Sequence, residues 1–473
     1  MLSRTLFRNL SAIVCLSTLC LSTSVVAETK PKNIIMVVAD GMGPAYTSAY
    51  RYYQDDPSTP EVETTVFDQL ITGRASTYPA NVSGLVTDSA AGATALAAGI
   101  KTYNGAIGVD KDKQPVNTVL REAKRRGLRT GLAVTSQIVH ATPASYVTHN
   151  ESRRNYDAIA DRFFDDRIEG QFVADVMLGG GTDYFIREDR DLVAQFIDAG
   201  YQYSDDYNKL ATYPSGQNVL GLFAPVGLPW ALDDRRENRL AFLTKQAIRH
   251  LENENGFFLL VEASQVDWAG HANDVASAMA EMHDLAMTMA FLQDYVEENP
   301  DTLVVLTADH STGGLTIGAG GDYRWEPLWL KAMNASAVTV AQQFPLEENP
   351  VEYVSETLGF RLNETEAEAI VALVTEEDVR ARHKGVTKIL DERTNTGWTT
   401  SGHTGVDVEV FAMGPGRASF LGHMDNTDIA KKLFALMTNP KQSNMSLSDQ
   451  TDSSESDGEQ ENDVCDFKTD WRC

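Results

Sequence analysis

Short apolar runs rich in Val, Ile, Leu and Phe alternate with longer stretches of helical pattern, and that alternation limits the fold more than any other feature. The runs fall at 33–39, 131–135, 173–178, 257–261, 303–307 and 408–413, and the helical stretches at 89–98, 117–126, 235–253 and 274–296. This order predicts an α/β fold, a three-layer sandwich with a central, mostly parallel sheet flanked by helices. The runs are mostly apolar, so the central strands are expected to be buried on both faces. From 318 to 395 the pattern loosens around Tyr323, Trp325, Trp329 and an amphipathic piece at 364–373. That stretch reads as an insertion carried by one main domain at 28–440.

The ends of the chain read differently. Arg4 and Arg8 precede an apolar stretch at 10–21, and Val25-Val26-Ala27 supplies small residues for cleavage, so 1–27 reads as a signal peptide. The apolar stretch is shorter than the roughly 20 residues a membrane span needs. The mature protein is therefore expected in the periplasm or outside the cell, with no membrane association after cleavage. Of the four cysteines, Cys15 and Cys20 leave with the signal. Cys465 and Cys473 either pair in the oxidising compartment or stay as free thiols. Residues 441–473 form an acidic tail, dominated by Ser, Asp, Glu and Gln with almost no apolar residues up to Asp463 and expected to be flexible.

The formal net charge of −27 argues against nucleic acid or anionic membranes as partners. It also means that an anionic substrate has to be met by local cations.

Metal-ligand-type residues follow three of the expected strands. Asp40 comes after 33–39, Glu262 and Asp267 after 257–261, and Asp309-His310 after 303–307. In open α/β sheets ligands bind beyond the carboxyl ends of the strands, so these side chains are expected to converge. Asp267 and His271 stand four residues apart, a spacing that puts both on one helix face and suits half of a Zn²⁺ site. Read singly, such a pair is more often a surface contact, and His403 in Ser401-Gly402-His403-Thr404-Gly405 could equally be a solvent-facing loop residue. Ser89 opens a helix of tiny residues, Ala90-Ala91-Gly92-Ala93-Thr94-Ala95, where backbone N–H groups and the helix dipole favour a phosphate. An ordinary Ser N-cap is the alternative.

Together these segments resemble the alkaline phosphatase family over about 32–423. The likeness rests on Ala39-Asp40-Gly41-Met42-Gly43, Thr87-Asp88-Ser89-Ala90-Ala91 and Ala141-Thr142-Pro143-Ala144. It continues through Val261-Glu262-Ala263, Asp267 with His271, Thr307-Ala308-Asp309-His310 and His403-Thr404-Gly405, all in the family's order. The resemblance implies hydrolysis of phosphate monoesters through a phosphoserine at Ser89, with two Zn²⁺ and one Mg²⁺ per chain, and a homodimer. It implies Asp267, His271 and His403 as ligands of one zinc, and Asp309, His310, Asp40 and the Ser89 hydroxyl around the other. Asp40, Thr142 and Glu262 match the magnesium ligands, hard oxygens for a hard cation. Arg153 matches the arginine that clamps two phosphoryl oxygens, a task suited to its planar fork. Arg154 competes for that role by position. Two positions vary within the family: His140 stands where some members carry Asp beside the third metal, and Trp268 where they carry Lys near the phosphate. Both are expected close to the substrate and to loosen the hold on magnesium and on product phosphate.

A sulfatase would show Cys-x-Pro-x-Arg where this chain has Asp88-Ser89-Ala90-Ala91-Gly92. A diesterase has to accept a second ester group, which an arginine holding two free oxygens disfavours. A catalytically silent zinc- or phosphate-binding protein would not need the full set of nucleophile, ligands and arginine.

Overall fold

The computed structural model describes residues 30–234 and 236–437. The expected signal peptide, the acidic tail, Cys465 and Cys473 lie outside the described residues.

Ten strands form the main sheet. In chain order they are β1 (Asn33–Val38), β2 (Ile71–Ser76), β3 (Arg129–Gln137), β4 (Val176–Gly180), β5 (Gln202–Ser204), β6 (Val219–Leu222), β7 (Phe257–Glu262), β8 (Thr302–Thr307), β9 (Val408–Met413) and β10 (Gly422–Asp425). Across the sheet the order is β10-β2-β9-β8-β1-β7-β3-β4-β6-β5. Only β9 runs antiparallel to its neighbours, β8 and β2; the other pairings are parallel. Helices surround this sheet, as the α/β pattern predicts.

Every residue of β1, β7 and β8 is buried, as their apolar middles require. The register places Val38 beside both Thr307 and Glu262. The carboxyl ends of the three central strands are therefore level, and the residues just beyond them share one crevice.

Four strands escaped the sequence pattern. β2, β5, β6 and β10 are short or mixed in polarity and lie toward the sheet's two sides, where little apolar sequence is demanded. The run at 173–178 enters the sheet only at Val176, because Asp175 ahead of it takes Lys124 Nζ at 2.7 Å and the Thr130 N–H at 2.9 Å. The helix expected from 235 starts at Arg239, since Asn238 adopts left-handed backbone (φ 55°). A two-stranded ribbon, Leu315–Ile317 against Thr396–Trp398, closes the base of the irregular stretch, whose largest helix is Val379–Thr394.

One buried ionic network braces the site from behind. Arg239, fully buried, donates from Nη2 to Glu281 Oε2 at 2.8 Å and to Gln265 Oε1 at 3.1 Å, and from Nη1 to Asp284 Oδ2 at 2.9 Å. The Gln265 amide in turn donates to the carbonyls of Leu228 (2.6 Å) and Thr135 (3.0 Å). Gln265 opens the helix Gln265–Ala272, which carries Asp267, Trp268 and His271. Removing one partner of such a network strands buried charge. Arg239→Ala is expected to lower the unfolding free energy by about 3–5 kcal/mol, read from urea denaturation at unchanged m-value. A midpoint equal to wild type would refute this bracing role.

Candidate metal centre and nucleophile

Ser89 is the first residue of the helix Ser89–Ala98, and Asp88, not Ser89, is its N-cap: Asp88 Oδ1 accepts from the Ala91 N–H at 2.9 Å. The seryl hydroxyl is thereby free for other partners. Its Oγ lies 3.1 Å from His310 Nε2 and 3.4 Å from Asp40 Oδ1. The small residues behind it have a packing reason. A Cβ added to Gly92 would sit 3.0 Å from Asp309 Cβ and 3.1 Å from its carbonyl oxygen, so the helix lies almost on the β8 strand end.

Gly41 brings the β1 end equally close. With φ at +75°, its position leaves an added Cβ only 2.7 Å from Asp267 Cα. Its N–H donates to Asp309 Oδ1 at 3.2 Å, and the His310 N–H donates to the same oxygen at 3.0 Å. That fixes the carboxylate with Oδ2 directed elsewhere; neither Asp309 Oδ2 nor Asp40 Oδ2, both buried, has a hydrogen-bond partner.

Three groups of side chains each present ligand atoms within 4.8 Å of one another: Asp267 with His310 and His403; Asp40 with Asp309 and His310; and Asp40 with His140 and Glu262. His271 joins the first, its Nε2 being 3.0 Å from His403 Nε2 and 3.3 Å from Asp267 Oδ2. Both imidazoles direct Nδ1 to a carbonyl oxygen, His271 to Ser401 at 2.6 Å and His403 to Thr87 at 2.9 Å. With a proton on each Nδ1, two Nε2 lone pairs face one another, an arrangement that calls for a cation between them. Ligands about 2.0–2.1 Å from a tetrahedral zinc lie roughly 3.3–3.4 Å apart. The two Nε2 atoms are 3.0 Å apart, with Asp267 Oδ2 3.3 Å from that of His271 and Asp267 Oδ1 3.6 Å from that of His403, so these side chains are close enough to share the metal.

In the third group His140 stands among the ligand-type side chains with Asp40 and Glu262, beside the third-metal position as the resemblance implies. Thr142, buried in the helix Ala141–Val147 just beyond β3, lies beside Glu262. Trp268 is buried and sets its ring edge-on to His140, with centroids 6.0 Å apart and planes at 81°.

Arg153 is buried, whereas Arg154 is exposed, which separates the two candidates. Arg153 Nη1 donates to Asp88 Oδ2 at 3.1 Å, and Nη2 lies 3.1 Å from His140 Nε2. Asp88 Oδ2 also accepts from the Gly105 N–H at 3.0 Å, so one carboxylate caps the nucleophile helix and holds the arginine. The sequence signal for this second role was an Asp immediately before the Ser.

Charge in this crevice is strongly frustrated. Burial, and then neighbouring carboxylates, push Asp40 and Asp309 well above the usual range. Burial also opposes ionisation of Asp267, but His271, His403 and His310 overcome it and hold that carboxyl well below. Burial, reinforced by neighbouring imidazoles, pushes His310 well below the ordinary imidazole value and His403 down to about 4.

With this geometry in place, comparison with known proteins is decisive. The alkaline phosphatase family model matches residues 31–438. The chain belongs to the alkaline phosphatase family. It is 45% identical over 417 residues to alkaline phosphatase 3 of Bacillus subtilis, covering 87% of this chain and 90% of the relative. A cold-active alkaline phosphatase from the psychrophile Shewanella sp. superimposes with a TM-score of 0.82 at 50% identity, over 86% of this chain and all of that one (100%). The alkaline phosphatase of the Antarctic bacterium TAB5 gives 0.64 at 27% identity, over 86% and 98%. Members of the family are metal-dependent phosphomonoesterases, and the three groups lie where this alkaline phosphatase fold brings its strand ends together.

The frustration has a measurable consequence. Burial raises Glu262 from 4.5 to about 7, against the hydroxyls of Ser264, Thr142 and Ser136, which lower it. The folded metal-free protein thus keeps a proton that the unfolded chain releases, and this group's contribution to stability is lost as pH rises from 4.5 through about 7. In chelated protein, Glu262→Gln is expected to melt increasingly above wild type as pH rises through that window. A melting-temperature difference that stays flat with pH would contradict the assignment.

Proposed function

We propose that this chain hydrolyses phosphate monoesters through a phosphoserine at Ser89, with two zinc ions and a third divalent cation held at the ends of β1, β7 and β8. The observation that carries the reading is the position of Ser89 Oγ, at a buried helix N-terminus and 3.1 Å from His310 Nε2. Asp267, His271 and His403 would hold one zinc; Asp40, Asp309 and His310 the other; Asp40, Glu262 and Thr142 the third ion, with His140 alongside. Two divalent cations held there would supply positive charge for the attacking and leaving oxygens of an in-line displacement.

The chain's own groups do the rest. Arg153, oriented by Asp88, offers its fork to two phosphoryl oxygens. The dipole at the start of the Ser89–Ala98 helix would favour the same anion. Ser89 Oγ attacks phosphorus as the alcohol departs, and water then releases phosphate from the serine. Arg153 and the cations together make a positive pocket on a strongly acidic protein. The same reading takes 1–27 as a cleaved export signal, places the mature enzyme in the periplasm or outside the cell, and pairs two copies as a dimer. It leaves the tail beyond 440 outside the catalytic body.

Acid-quenched protein incubated with labelled phosphate is expected to carry the label on Ser89. Ser89→Ala should lose that label and fall by orders of magnitude in turnover, with some metal-assisted hydrolysis remaining. Label on another residue, or unchanged turnover, would overturn the nucleophile. Chelation should abolish activity, and Zn²⁺ with Mg²⁺ should restore it.

His140 and Trp268 set a finer property. A nitrogen donor suits Mg²⁺ less well than oxygen, and an indole brings no charge to the phosphate. The TAB5 enzyme has been solved with a histidine replaced by glutamate or by aspartate and Mg bound in its M3 site. His140→Asp with Trp268→Lys is expected to retain more magnesium through purification, tighten phosphate inhibition and lower kcat. A phosphate Ki that rises or stays put would show that these two positions do not govern product release.

A further inference from the structure

We propose that Thr312 is a positioning residue whose single hydroxyl proton fixes the tautomer of His310 and turns the Nε2 lone pair toward Ser89 and the metal position.

Thr312 ends the short strand Ser311–Thr312, and its backbone is held at both polar groups. Its N–H donates to the Gly41 carbonyl at 3.0 Å, and its carbonyl accepts from Tyr46 Oη at 2.8 Å. The side chain is fully buried in a space made by glycines. A Cβ added to Gly41 would come within 2.7 Å of Thr312 Oγ1, and one added to Gly270 within 3.0 Å of its Cβ. So located, Oγ1 hydrogen-bonds Asp267 Oδ1 and lies 3.2 Å from His310 Nδ1.

Proton counting fixes the direction of these contacts. An ionised carboxylate only accepts, and a threonine hydroxyl has one proton to give. That proton goes to Asp267, so the contact with His310 is made only if Nδ1–H donates to Oγ1. A neutral imidazole protonated on Nδ1 carries its lone pair on Nε2. Nε2 is the atom 3.1 Å from Ser89 Oγ and 3.4 Å from carboxylate oxygens of both Asp40 and Asp309. One directed chain therefore runs from Ser89 Oγ–H through His310 and Thr312 to Asp267. The opposite tautomer would set the Nδ1 lone pair against that of Oγ1 and turn an N–H toward the metal position.

His310 differs here from the other two imidazoles, whose Nδ1 atoms are oriented by main-chain carbonyls. Only its orientation depends on a replaceable side chain. Since Asp267 and His310 belong to different halves of the proposed zinc pair, the hydroxyl also ties one half to the other.

The inference rests on the reading of Asp267 and His310 as metal ligands for its effect on zinc, but the tautomer is measured without metal. In metal-free wild type, long-range ¹H–¹⁵N correlation of the His310 ring, assigned by its absence in His310→Gln, should show Nδ1–H. Thr312→Ser should keep that pattern and wild-type zinc affinity. Thr312→Val, of nearly the same shape, should lose the pattern and bind zinc about 10–100-fold more weakly in competition with a chromophoric chelator. An Nε2–H tautomer in wild type, or wild-type zinc affinity in Thr312→Val, would overturn the proposal. If Thr312→Val does not fold, the wild-type and Thr312→Ser tautomers decide it. Failure of every variant to bind zinc would instead contradict the metal reading and leave the tautomer result to stand on its own.

Discussion

Buried like charge is the constraint on which this structure turns. Asp40, Glu262, Asp267 and Asp309 are withdrawn from water within one crevice at the ends of three parallel strands. Carboxylates so placed cannot all ionise without cations among them. Imidazoles hold the Asp267 carboxyl well below its usual range, whereas burial pushes Asp40, Asp309 and Glu262 up. Divalent metals would meet the same demand far better, and the lone pairs of His271 and His403 face one another as if around one.

Holding such a cluster requires a rigid frame. The register of β1, β7 and β8 sets the heights of the side chains, and Gly41 and Gly92 let backbone approach where a methyl group would collide. The Arg239 network ties the helix that bears Asp267 and His271 to strand β3 at Thr135 and to the loop at Leu228. Asp88 couples the nucleophile's helix to Arg153, so the group proposed to attack and the group proposed to hold phosphate share one support. Function here depends on elements far apart in sequence meeting at hydrogen-bond distance.

Much of this was legible in the chain. The central strands announce themselves because burial on both faces demands largely apolar runs, and β9, despite its half-buried Glu409, was marked to the residue, Val408–Met413. Outer strands such as Gly422–Asp425 carry no such demand and left no signal. Ligand-type residues at three strand ends pointed to the site, since parallel topology makes those ends converge. What sequence could not supply was contact geometry. The capping and arginine-holding roles of Asp88 and the link made by Thr312 each join residues whose spacing says nothing of their meeting. Arg153 and Arg154 were separable only by burial.

The central claim is that this crevice is built around metal ions next to Ser89. Anomalous diffraction from crystals of protein purified without chelator and soaked in zinc, with data on either side of the zinc edge, tests it most directly. The account predicts two strong zinc peaks, one bounded by Asp267, His271 and His403 and the other by Asp40, Asp309 and His310 with Ser89 Oγ adjacent. An absence of anomalous density there, or zinc bound only at surface carboxylates away from Ser89, would contradict it.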